Sequence, residues 1–160
     1  MARGTLYQLS TNMDCVFPVF DESDFYEQVP SEAEYFQNMS EEDSSNEIES
    51  LKRMLKGIEA EIGSEEIEGH EIMWFRVSRE SRRLYFKKNY ELFRQNVSNL
   101  WLDDFIDSSV AYKLRTLITG DYEDAVILDG STYIMPLDTF FRDLVLDEKY
   151  YVSPRTIYMK

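Results

Sequence analysis

Apolar side chains recur through the middle of the chain at helical intervals, whereas both ends carry short β-prone runs. Ile48, Leu51, Leu55, Ile58 and Ile62 follow one another at steps of 3, 4, 3 and 4. That spacing predicts an amphipathic helix, opened by a Ser44-x-x-Glu47 capping box and closed by Gly63 as its left-handed terminus. Phe86, Tyr90, Phe93, Val97 and Leu100 repeat in the same way. They predict the longest helix, starting at Ser78 or Ser81, running to Trp101 or Ile106 and burying a continuous aromatic stripe. A shorter helix follows from Ser108 or Ser109, with Val110, Leu114, Leu117 and Ile118 inside and Gly120 at its end.

The strand pattern is concentrated elsewhere. Thr5 to Ser10 is β-prone, and Cys15 to Phe20 is a short apolar run in which Pro18, unable to donate to a ladder, predicts an edge strand or an extended lead-in. His70 to Val77 places Ile72 and Trp74 on one face and Met73, Phe75 and Val77 on the other, which predicts an interior strand covered on both sides. Ala125 to Leu128 and Ser131 to Met135, joined through Asp129-Gly130, predict a tight hairpin. Pro136-Leu137-Asp138 turns into a short helix carrying Phe140, Phe141, Leu144 and Val145, and Tyr150 to Val152 and Thr156 to Met159 read as terminal strands. Two helix starts, at Asp21 to Asp24 and at Ser31-x-x-Glu34, precede a polar stretch over 40–47 expected to be an exposed loop or the fraying first turn of a helix. Strands at both ends with helices between them point to an α+β fold: one domain over 1–160, with a small, mainly antiparallel sheet and four to five helices.

Length and composition agree with that picture. A chain of 160 residues with 43% hydrophobic and 14% aromatic content can bury a core without disulfides or metal, and it is too apolar for a disordered acidic tail. Cys15 is the single cysteine and His70 the single histidine, so neither an internal disulfide nor a Cys- or His-clustered zinc site can be assembled within one chain. No apolar run resembles a signal peptide or a membrane span, and a cytoplasmic location is expected.

Charge changes the picture more. The net charge is −14, but residues 1–50 carry one basic and twelve acidic side chains, residues 51–100 ten and eight, and residues 101–160 six and eleven. The excess therefore sits in the first third, and neither a membrane surface nor direct contact with nucleic acid is expected of the molecule as a whole. Between Arg76 and Arg94, seven basic residues stand against Glu80 and Glu91. On a helix, Arg83, Lys87 and Arg94 fall within ~40° of one another beside Phe86 and Tyr90, an arrangement able to grip a phosphate backbone, locally of RNA or DNA, or an acidic partner, or to pair internally with the surplus carboxylates.

Catalytic motifs are missing: there is no G-x-S-x-G, no Cys/His pattern and no glycine-rich phosphate loop. Asp103-Asp104-x-x-Asp107 has a spacing that can hold a divalent cation, which makes a metal-assisted enzyme on a phosphorylated or nucleotide substrate the alternative reading, with Arg83, Lys87 and Arg94 around the anion. The first expectation is a non-enzymatic protein without a cofactor. Its acidic side chains Asp24, Glu27, Glu32, Glu34, Glu41 and Glu42, with Tyr35 as an aromatic anchor, would occupy the basic site of a nucleic-acid-binding or nuclease-like protein, as phage inhibitors and immunity proteins do.

Overall fold

The computed structural model describes residues 4–15, 36–119, 124–128 and 134–159, and these form an α+β fold built on one eight-stranded sheet. Strand β1 (Gly4–Ser10) is its centre. Along one edge β1 pairs in parallel with β5 (Ala125–Leu128), which pairs in turn with β6 (Ile134–Pro136). Along the other edge it meets β8 (Ile157–Met159) through Gly4 to Leu6 and β7 (Tyr150–Val152) through Leu9 and Ser10. Outside these lie β2 (Phe36–Asn38) against β8, β4 (His70–Arg76) against β7, and β3 (Glu61–Ile67) against β4, all antiparallel. The sheet is thus mainly antiparallel, as expected, with one parallel pair at its heart.

One face of the sheet carries the helices. Tyr7, Leu9, Phe75, Val77, Val126, Tyr150 and Val152 point into a core shared with Leu51, Leu55 and Ile58 of α1 (Glu41–Gly57) and its C-cap and with Phe140 and Phe141 of α5 (Leu137–Asp143). Leu84, Tyr85 and Phe86 of α2 (Arg79–Ser98) pack against its margin. The opposite face of the sheet presents Leu6, Ala125, Ile127, Ile157 and Met159 in one buried cluster and Ile72 with Tyr151 in another. His70 to Val77 accordingly lies in the interior of the sheet with its two faces assigned as the alternation predicts.

Several boundaries move. Helix α1 starts four residues before the expected capping box, because the Ser40 side chain accepts from the Asp43 backbone N–H at 3.1 Å; the stretch 40–47 is helical rather than a loop. Ser44 is a buried clasp instead of a cap: its Oγ accepts from the Thr156 backbone N–H at 3.1 Å and sits 3.0 Å from the Thr156 hydroxyl. The helix ends at Gly57, with Glu59 taking the left-handed conformation (φ 59°), and Ile62 and Gly63 belong to β3.

The β3–β4 hairpin turns on Glu68 and Gly69, both at positive φ, with Ile67 opposite His70. That is the two-residue turn whose twist suits a hairpin. At the other hairpin the described register sets Ile127 opposite Ile134, whereas a two-residue Asp129-Gly130 turn would pair Leu128 with Ser131. The residues of that turn, Gly120, and the expected extended run and helix starts within 16–35 lie outside the described residues. Cys15 ends a short 3₁₀ turn, Met13–Cys15.

Gly63 has a packing reason. The Trp74 indole lies across it, and a Cβ there would fall well inside the contact distance of the ring. The same indole is bracketed by Lys149 Nζ at 4.3 Å and Arg76 Cζ at 5.1 Å from the ring centre, and Lys149 pairs with Glu65 at 2.5 Å. Gly63→Ala should therefore cost about 1–3 kcal/mol by overpacking, read as a lower thermal midpoint with altered Trp74 fluorescence; unchanged stability would contradict this packing.

Glu65 supplies a pH dependence. The Lys149 hydrogen bond and then the Tyr151 hydroxyl hold its carboxyl below the ordinary value of 4.5. A carboxyl lowered by folding contributes stability above its unfolded value and loses that contribution as pH falls through its folded value. Thermal midpoints of the native protein and Glu65→Gln should differ most above pH 4.5 and converge as pH is lowered below it. A constant difference would show that Glu65 ionisation is not linked to folding.

Candidate interaction surfaces

Helix α2 divides into two halves with different surroundings. In the first, Tyr85 stacks on Phe141 at 4.1 Å between ring centres, and its hydroxyl donates to Asp138. Burial first and the neighbouring carboxylate second push that hydroxyl's pKa up, so it stays protonated as a donor. Arg142 of α5 places its guanidinium 4.7 Å from the Phe86 ring centre and donates to the Ile118 carbonyl, tying α2, α5 and α4 (Ser108–Thr119) together.

Beyond that anchorage the helix leaves the core. From Tyr90 to Ile118 no residue is buried. The second half of α2, the short α3 (Leu102–Ile106) and α4 therefore form a helical arm in which α4 packs back along α2. The expected buried aromatic stripe is corrected here: Phe86 and Phe93 are half-buried, while Tyr90 and Val97 are exposed. The periodicity is real, but the sheet face the stripe would need is already covered by α1 and α5. In α4, Val110, Leu114 and Leu117 are half-buried and Ile118 is exposed.

At the tip of the arm four large apolar side chains stand in water: Trp101 is 79% exposed, Leu102 75%, Phe105 71% and Ile106 71%. Helical geometry gathers Leu102, Phe105 and Ile106 on one side of α3, with Trp101 at its N-cap. Two of the three aspartates of this segment serve in capping. Asp104 Oδ2 accepts from the Trp101 N–H at 3.1 Å, and Asp107 Oδ1 accepts from the Ser109 N–H at 2.8 Å and the Ser109 hydroxyl at 2.6 Å. Those two Ser109 bonds hold the Asp107 carboxyl below its ordinary range. Asp103, Asp104 and Asp107 are not gathered around a common point, and among the described residues no three His, Cys, Asp or Glu side chains are placed to hold a metal ion.

Two open depressions complete the surface. One, of about 830 Å³, is lined by Arg82, Arg83, Phe86, Lys87, Tyr90 and Arg142, with Glu80 and Glu91 at its side. It brings together Arg83 and Lys87 of the expected anion-binding set; Arg94 lies farther along the helix. The other, of about 800 Å³, lies between α1 and the β3–β4 hairpin, with Ile48, Ile62, Met73 and Val152 in its lining and Lys52, Lys56, Arg155, Glu41, Glu49 and Glu71 among its charges. His70 lines it as an exposed residue.

Of the acidic set, Glu41 and Glu42 are exposed in the first turn of α1, where the helix dipole favours negative charge. Asp24, Glu27, Glu32, Glu34 and Tyr35 lie outside the described residues. The sequence reading missed the apolar tip because it assigned Trp101 and Ile106 to the buried continuation of α2. A signal was present in the two adjacent apolar pairs, Trp101-Leu102 and Phe105-Ile106, which alternate with aspartates in a helix of only five residues.

No helix among the described residues is long and apolar enough to cross a membrane. The chain matches no protein-family profile, no curated protein and no solved structure.

The chain's two tryptophans report on different places, Trp74 beneath charged side chains on the sheet and Trp101 in solvent at the tip. Trp101→Phe should remove the red-shifted, acrylamide-accessible part of the emission and leave unfolding unchanged. Loss of the shielded component instead would contradict an exposed tip.

Proposed function

We propose that this protein is a non-enzymatic interaction protein that docks on, and by occupying its basic site inhibits, a basic nucleic-acid-binding or nuclease-like protein. The observation that carries this reading is the tip of the arm, where Trp101, Leu102, Phe105 and Ile106 project into solvent with Asp103, Asp104 and Asp107 in the same segment. Exposed apolar clusters of this kind mark interfaces, and large aromatic side chains near the centre of an interface supply most of its energy. The flanking aspartates and the chain's charge of −14 suit a pocket rimmed by Lys and Arg, whose encounter would be accelerated by the opposite charges. The acidic side chains of the first fifty residues, Glu41 and Glu42 among them, extend that preference. The metal-assisted alternative has no comparable support, since Asp104 and Asp107 are engaged in helix capping.

The test is affinity capture from the native host on the immobilised full chain, comparing the natural sequence with Leu102→Glu/Phe105→Glu and with Glu41→Lys/Glu42→Lys. A captured protein with pI above about 9, released near ~0.5 M salt and lost with the tip variant, is the expected result. Capture unaffected by the tip variant overturns the reading. So does a dimer of the natural sequence that the tip variant converts to monomer, because the tip would then be covered by a second copy.

A further inference from the structure

We infer that the cationic face of α2, completed by Arg142 of α5, binds single-stranded nucleic acid. Arg83, Lys87, Tyr90 and Arg94 lie within about 60° of one another around the helix and span twelve residues, roughly 16 Å of its length. Arg82 and Arg142 border the same open cleft from the side of Phe86, and Glu80 and Glu91 flank it on the other.

The described residues give these cations no ion-pair partner. The ion pairs among the described residues are Arg76 with Glu61 and Lys149 with Glu65. Arg83, Lys87 and Arg94 make none with the described residues.

Its chemistry selects the ligand. A lone phosphate would use one end of a stripe this long, whereas a phosphodiester chain meets successive cations along it. Tyr90, 60% exposed in the middle of the stripe, offers an aromatic face on which any base can stack and for which an acidic peptide has no use. Single strands expose their bases for such stacking, and duplexes do not. The net charge of −14 is no bar, because screening at physiological salt confines the influence of distant carboxylates to about 8 Å, and most of the acidic excess belongs to the first fifty residues. This surface is separate from the apolar tip and does not depend on the docking proposed for it.

The experiment is fluorescence anisotropy of a short labelled oligothymidylate titrated with the full chain at physiological salt and at higher salt. Binding should weaken with added salt at a logarithmic slope of about −2, the value for three cations on a single strand. Arg83→Glu/Lys87→Glu should lower affinity at least tenfold and Tyr90→Ala about tenfold, with circular dichroism unchanged. Leu102→Glu/Phe105→Glu should leave oligonucleotide binding intact, which separates failure of this site from failure of the tip. Absence of binding at physiological salt overturns the inference. Indifference to the cleft variants, or equal binding of polyglutamate, overturns it as well.

Discussion

Strand β1 has neither a free edge nor an exposed face, and the rest of the architecture follows from satisfying it. All seven of its residues are buried, so every backbone N–H and C=O along it must find a partner inside the protein. Two neighbours on one edge and one on the other supply those partners, which draws both the C-terminal strands and the 125–128 segment to the N-terminal one. The two strands on the shared edge are joined through Thr156, whose N–H is taken by Ser44, and the Tyr7 hydroxyl donates to the Glu47 carbonyl. Helix α1 is thereby fixed over the central strand by buried hydrogen bonds as well as by Leu51 and Leu55. A buried polar group left without its partner costs about 1–3 kcal/mol, so this clasp locates the helix more sharply than apolar contact alone would.

Once α1 and α5 cover that face, α2 has room to pack along only part of its length. Its first half spends Leu84, Tyr85 and Phe86 on the margin of the core. The second half continues into solvent, carrying α3 and α4 with it. Leaving a large apolar side chain in water forgoes about 1.5–3 kcal/mol of burial, and the tip holds four of them. Against a typical net stability of about 5–15 kcal/mol, that is a large fraction to leave unrealised within the monomer. The anchorage through Tyr85, Asp138 and Arg142 makes the exposure sustainable, because it fixes the base of the arm on the folded core and lets the tip stand away from it.

The parts of this structure legible in the sequence are those governed by local periodicity. The alternation in His70 to Val77 is the clearest instance, since strand geometry alone assigns its two faces. Local spacing also finds α2 and its Ser78 cap, yet it cannot say whether an apolar stripe meets a surface to cover. That depends on which elements cover the sheet, and here α1 and α5 do so. The hairpin at Glu68-Gly69 was obscured for a different reason: Glu is an unusual residue at positive φ, so the sequence lacks the Asn-Gly or Asp-Gly spelling that marks such turns. Gly63, read as a helix terminus, is instead a place where an indole needs the room of a missing Cβ. Of the candidate site, the cations of α2 were legible by charge and helical angle, whereas the tip required knowing where the helix departs from the core.

Charge and burial together decide how the two halves of the molecule differ. Within the sheet, charged side chains are paired or stacked: Glu65 with Lys149, Arg76 with Glu61, and both cations against Trp74. On α2 and the arm it leads into, Arg83, Lys87 and Arg94 make no ion pair among the described residues, and Trp101, Leu102, Phe105 and Ile106 lie outside any core. Stability alone would favour pairing such cations with the available carboxylates and turning such apolar groups inward. Both features meet on α2 and the short helix that follows it. Concentration of unsatisfied apolar and cationic surface on one projecting element, above a core that is otherwise well closed, is the distribution expected when that element has been shaped by what it contacts outside the chain.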